Sequence, residues 1–185
     1  MSLYAAADAG DLARVMLLVE QGEDKNQISG GHEGTALSVA AFKGYLDVVR
    51  YLVEQGADME KADRHDFTPL LTASCNGKIE VVQYLLEQGA DRDKADNTGS
   101  TSLHYAAQCG HLEIAKLLMV YGADLNTRTF EGRLPIDDAW NEEIRQAIRD
   151  EPRRRMDHGQ YTFRGRCRLG AVSYTHLTLP TKRIV

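Results

Sequence analysis

The sequence predicts an all-α solenoid, built from helix-turn-helix units of about 33 residues stacked along its first 150 residues. Three observations predict it. Helix-breaking glycines stand at Gly10, Gly44, Gly77 and Gly110, at intervals of 34, 33 and 33. A second set, Gly22, Gly56, Gly89 and Gly122, repeats those intervals at the points where helices end, because the residue after a helix favours φ > 0. Leu37, Leu70, Leu103 and Ile136 follow one another at 33. A unit of this length cannot bury its apolar faces alone, so it needs neighbours of its own kind.

Residues 1–29 read as a first, shortened unit that lacks a Thr-Pro start and carries Asp8, Asp11 and Arg14 toward solvent as a cap. The connection Asp24–Glu33 is one residue longer than its counterparts, and its Ser29-Gly30-Gly31 reads as flexible. The second unit covers about 30–62, with Ala36 where the next has Pro69. The third, about 63–95, shows the pattern in full. Thr68 is placed to accept a free backbone N–H as N-cap, and Pro69 at the first helical position has no N–H to leave unpaired. Ile79, Val81, Val82, Leu85 and Leu86 then recur at helical spacing between polar residues. The fourth unit covers about 96–128.

A cap over 129–150 keeps Gly132, Pro135, Ile136 and Ala139 in register, loses about four residues, and closes with Ile144 and Ile148 on one helix face. Trp140, the sole tryptophan, is expected to plug the end of the core. Beyond 150 the period stops. Residues 151–185 read as a basic, disordered tail, whose last stretch, SYTHLTLPTKRIV, resembles translated cloning-adaptor sequence.

The stretches TALSVAAFKGYLDVVRYLVEQGAD, TPLLTASCNGKIEVVQYLLEQGAD and TSLHYAAQCGHLEIAKLLMVYGAD carry the TPL, AA, G and LL-x-x-G-A-D pattern in register. On these residues the chain resembles the ankyrin-repeat family, with about four repeats and the shortened cap. The third repeat departs from the family at Leu71 and Ser74, and the fourth has Ser102 for proline. The resemblance implies that His104 bonds locally at its helix start. It also implies that the turn before each first helix projects as a finger, and that the first helices line a concave face.

Composition narrows the function classes. Residues 1–150 hold 14 Lys and Arg against 25 Asp and Glu, and residues 151–185 hold 8 against 2. An acidic repeat region argues against nonspecific nucleic-acid binding. No apolar run reaches the roughly 20 residues that span a bilayer, and the acidic start MSLYAAADAGDLARV is not that of a secretory signal. A cytoplasmic or nuclear protein, not secreted, is expected. Arg153-Arg154-Arg155 reads either as an import patch or as a solvated helix end. Cys75, Cys109 and Cys167 lack C-x-x-C spacing and read as free thiols.

The sequence offers no catalytic set. Ser38, His32 and Asp47 stand on no nucleophile elbow. Glu87 with Asp91, and Asp137 with Asp138, read as solvated surface. Cys75, His65, Cys109 and His111 match no closed zinc spacing. No cofactor and no metal is expected. Surface remains: the candidate partner-binding residues are Phe42, Lys43, Arg64, His65, Phe67, Asn76, Asn97, Thr98, Gln108, Phe130 and Arg133, with His32 at the first finger. Three phenylalanines free of core duty beside polar groups suit a protein-binding hot spot. The expected function is a monomeric, non-catalytic scaffold or adaptor for another protein. The alternatives are the ankyrin segment of a larger enzyme or channel, and a nuclear adaptor using the arginine triplet.

Overall fold

The structure is a computed structural model that describes residues 2–28 and 34–157. Residues 29–33, which include His32 and the Ser29-Gly30-Gly31 stretch, and residues 158–185, which include Cys167 and most of the tail, lie outside it. Among the described residues there is no strand.

Nine helices follow in order among those residues: α1 (Leu3–Asp8), α2 (Leu12–Glu20), α3 (Ala36–Lys43), α4 (Leu46–Glu54), α5 (Pro69–Cys75), α6 (Ile79–Glu87), α7 (Ser102–Gln108), α8 (Leu112–Val120) and α9 (Glu142–Asp157). They stack as two rows. The inner row α1, α3, α5, α7 packs each helix on the next, the outer row α2, α4, α6, α8 does the same, and each inner helix rests on its own outer partner. The core runs as one sheet of side chains between the rows. Leu37, Leu70 and Leu103 are buried at their common register, with Leu52, Leu85 and Leu118 opposite them.

Each inner helix starts at a hydroxyl. Thr35 and Thr68 accept from the backbone N–H three residues on, at Ser38 and Leu71, both at 3.2 Å. Thr101 forms a capping box with His104. Its N–H donates to His104 Nδ1 at 3.2 Å, so the proton lies on Nε2, which faces the Arg133 carbonyl at 3.3 Å. Burial pulls the His104 pKa down and keeps the ring neutral. The first repeat lacks the Thr-Pro start and is capped by Ser2, one place later in the register than Thr35. The Ser2 hydroxyl accepts from Ala5 N–H at 3.3 Å.

Two expectations are corrected at the C-terminal end. Trp140 does not plug the core: it is 77% exposed. Its ring lies over Gly110, about as Tyr45 lies over Gly10 and His111 over Gly77. Tyr45 and His111 fall one residue after a break glycine. The deletion in the last unit puts Trp140 in that same structural place, and its N–H donates to the Ala107 carbonyl at 2.9 Å. The boundary expected at 150 also moves. α9 continues to Asp157 and takes in Pro152, which has no N–H for the Ile148 carbonyl. Ile144 and Ile148 on its first turns are buried against the stack, and Asn141 caps its start by accepting from Ile144 N–H at 2.9 Å.

Candidate functional site: two bands at the ends of the inner helices

The finger loops precede each inner helix. Asp63 N–H donates to the Phe67 carbonyl, Asp96 N–H to Ser100, and Thr129 N–H to Arg133, at 3.0 to 3.1 Å. A second bond closes each tip, from Asp66, Gly99 and Gly132 back to those same leading residues. All three tip residues have positive φ, and Asp66, at 60°, is the one non-glycine residue to do so among those described.

The side chain of the leading residue holds its own loop. Asp63 Oδ1 accepts from the N–H groups of His65 and Phe67. Asp96 Oδ1 accepts from Thr98 and Ser100 N–H and from the Thr98 hydroxyl. Burial raises the Asp96 pKa, but these donors and the Tyr105 hydroxyl outweigh it and hold the carboxyl below its ordinary range. Adjacent fingers are bonded to one another: Asn97 N–H donates to the His65 carbonyl at 3.3 Å and Phe130 N–H to the Thr98 carbonyl at 2.9 Å. The loops therefore form a linked, preset edge. Gly99 allows the last contact, because a Cβ there would sit 2.9 Å from the Phe130 nitrogen.

The predicted residues separate into two bands. Arg64, His65, Phe67, Asn97, Thr98, Phe130 and Arg133 belong to the fingers. Phe42, Lys43, Asn76 and Gln108 lie at the opposite, C-terminal ends of the inner helices. One inner helix of seven residues, about 10 Å at 1.5 Å per residue, separates the bands.

Exposure also divides them. Phe130 is 81% exposed and Phe42 47%, and Arg64, His65, Asn97, Thr98, Gln108 and Arg133 are exposed too. Phe67 is half-buried, with its ring tilted on Tyr105 of the next repeat, centroids 4.9 Å apart. Its ring is thus engaged by the neighbouring repeat, at a place outside the hydrophobic core. Asn76 is half-buried as well and donates to the Thr72 carbonyl at 2.8 Å at the end of α5.

Lys43 and Arg133 are each met locally by carboxylates. Lys43 Nζ is 3.3 Å from Asp8 Oδ1 and 5.9 Å from the centroid of the Phe42 ring. Arg133 reaches Glu131 at 3.2 Å and Asp138 at 2.8 Å. The Asp138 side chain is only 6% exposed, so it is not the solvated surface carboxylate the sequence suggested. Asp137 is exposed but accepts from Leu134 N–H. The loop signal that sequence reading missed is the run Asp63, Asp96, Thr129 at 33-residue spacing, a side-chain acceptor five residues before Thr68, Thr101 and Leu134.

Among the described residues no cluster of three or more His, Cys, Asp or Glu could hold a metal ion, and no helix is long and apolar enough to cross a membrane.

Comparison with known proteins agrees with this architecture. The family model for ankyrin repeats (3 copies) matches residues 2–63 and 60–129. Ankyrin repeat and SAM domain-containing protein 6 of Rattus norvegicus is 44% identical over 57 residues, 31% of this chain and 6% of that protein. Ankyrin repeat domain-containing protein 29 of Homo sapiens is 43% identical over 56 residues, 30% of this chain and 19% of that protein. The chain thus spans a small share of the length of the curated relatives it matches.

Proposed function

The chain belongs to the ankyrin-repeat family, whose repeats are generally protein-interaction modules, and from that premise we propose that it is a non-catalytic scaffold or adaptor that binds another protein through the two bands. The observation that carries this reading is the bonded row of fingers. Backbone hydrogen bonds tie finger to finger, and Asp63 and Asp96 freeze the loops from within. A surface already ordered loses little entropy on binding, so a modest contact area suffices. Phe130 presents an exposed ring in the band that also carries Arg64 and Asn97, and Phe42 one in the band that carries Lys43 and Gln108, the mixture that makes binding anchors. The acidic remainder of the repeats repels acidic partners elsewhere and helps direct a partner with an acidic and apolar strip to Arg64 and Lys43. A cytosolic or nuclear setting belongs to the same proposal.

The test is affinity capture with the full chain, in parallel with a Phe130→Ala, Arg64→Glu variant. A protein retained by the parent and released by the variant supports the reading. Equal retention by both removes the fingers from it. A second reading, the ankyrin segment of a larger protein, is favoured by the 6% and 19% of the two relatives that the matches cover.

A further inference from the structure

We propose that Cys75 and Cys109 form a reversible dithiol–disulfide pair, a modification site for hydroperoxides that ties the third repeat to the fourth. The two Sγ atoms lie 3.7 Å apart, and both cysteines are free thiols. Cys75 is the last residue of α5, and Cys109 is the cap residue after α7. Their separation of 34 residues is one more than the repeat, so the pair crosses diagonally between neighbouring inner helices. The 33-residue register alone pairs Cys75 with Gln108 and Asn76 with Cys109. Forming an S–S bond of about 2.05 Å draws the two sulfurs together from this separation, at the ends of two helices that already pack on each other.

The pair is unequal in exposure. Cys109 is exposed and Cys75 half-buried. Burial, and then the neighbouring Cys109 thiol, push the Cys75 thiol up to about 11, so Cys75 carries little thiolate at neutral pH. Cys109 is accordingly the attacking sulfur and Cys75 the resolving one. Cys109, as thiolate, attacks the peroxide oxygen. The O–O bond breaks, water or an alcohol leaves, and Cys109 becomes a sulfenic acid. Cys75 then attacks that sulfur, giving up its proton, and hydroxide leaves as water. Two thiols lose two electrons in all, and the hydroperoxide gains them. A dithiol or glutathione-type thiol reverses the step by exchange.

The bond would sit among the helix-end band, between Phe42 and Lys43 on one side and Gln108 on the other. It adds a covalent link where stability otherwise depends on neighbour contacts alone. Thermal unfolding of the oxidised form should therefore shift upward.

The experiment uses the full chain with Cys167→Ser, so that two thiols remain. It is dilute, is exposed to stoichiometric hydrogen peroxide, and is then labelled with maleimide. We expect both thiols to vanish together, with an intact mass lower by two hydrogens. A peptide joining Cys75 to Cys109 should appear, and dithiothreitol should restore both thiols and the original melting temperature. Cys75→Ser should halt at a Cys109 sulfenic acid captured by dimedone, and Cys109→Ser should leave Cys75 unmodified at the same dose. Two maleimide adducts after peroxide would overturn the proposal. So would disulfides found only between chains, or a Cys75 oxidised as fast without Cys109 as with it.

Discussion

The Tyr105 hydroxyl donates a 2.6 Å hydrogen bond to Oδ2 of Asp96, nine residues earlier, and so ties a finger to the helix that follows it. The opposite oxygen of the same carboxylate holds the loop's own N–H groups. One buried carboxylate thus joins loop and helix, and its charge is what the donors stabilise.

That charge makes the fold sensitive to acid. The folded Asp96 pKa is depressed, so its contribution is fully present above the unfolded value of about 3.9 and is lost as pH falls through the lower folded value. The urea midpoint of the parent should exceed that of Asp96→Asn at pH 7, and the gap should close below about pH 4. A gap that stays constant down to pH 2.5 would show that Asp96 ionisation is not involved. Tyr105→Phe, which removes one donor to a charged acceptor, should cost about 1.5 kcal/mol at pH 7.

Ser74 stands where Ala41 and Ala107 stand in the neighbouring repeats. It is fully buried, and its hydroxyl oxygen has no hydrogen-bond partner. Ser74→Ala should therefore stabilise the protein by roughly 1 kcal/mol, by removing a dehydrated hydroxyl from an apolar contact. Chemical denaturation reads it directly, and a loss of stability would mean that the hydroxyl is satisfied in solution.

Asp66 occupies the left-handed tip position that Gly99 and Gly132 occupy in the later fingers. Replacing it with glycine relieves a conformation that disfavours a Cβ but adds freedom to the unfolded chain. The strain is the larger effect, and Asp66→Gly should raise stability by ~0.5 kcal/mol. The same substitution at Asp63, which accepts two loop N–H groups, should lower it.

Trp140 gives a spectroscopic check on the C-terminal end. Its ring rests against Gly110 in the open. Native fluorescence should be red-shifted, quenched readily by iodide, and little changed in wavelength by unfolding. A blue-shifted native emission would restore the core-plug reading.

The repeat was legible because glycines and leucines at a fixed period carry both the helix ends and the buried face. Leu37, Leu70 and Leu103 are where their register puts them. The fingers were legible only as positions. Phe67 looked free because nothing in its own repeat claims it, and its partner Tyr105 belongs to the next repeat. Asp138 looked solvated for a different reason: its partner Arg133 stands in its own unit, five residues earlier, and folds back over it. The place of Trp140 follows from a deletion whose length was readable, but the structural consequence required knowing which glycine it covers. Side-chain pairs that cross between repeats depend on how repeats stack, and a period alone does not encode that.

The central claim is that a partner protein docks on the fingers and the inner-helix ends. The dissociation constant of a captured partner, measured for three forms of the full chain, tests it most directly. The forms are the parent, a Phe42→Ala, Arg64→Glu, Phe130→Ala variant, and a control with Leu17→Ser and Val120→Ser on the outer row. All three should keep the parent's helical circular dichroism, because the altered side chains are exposed. With anchors worth ~2 kcal/mol each on truncation, the first variant should bind at least roughly a hundredfold more weakly, and the control should bind as the parent does. Full affinity in the first variant, with loss in the control, would place the partner on the outer helices and contradict the account.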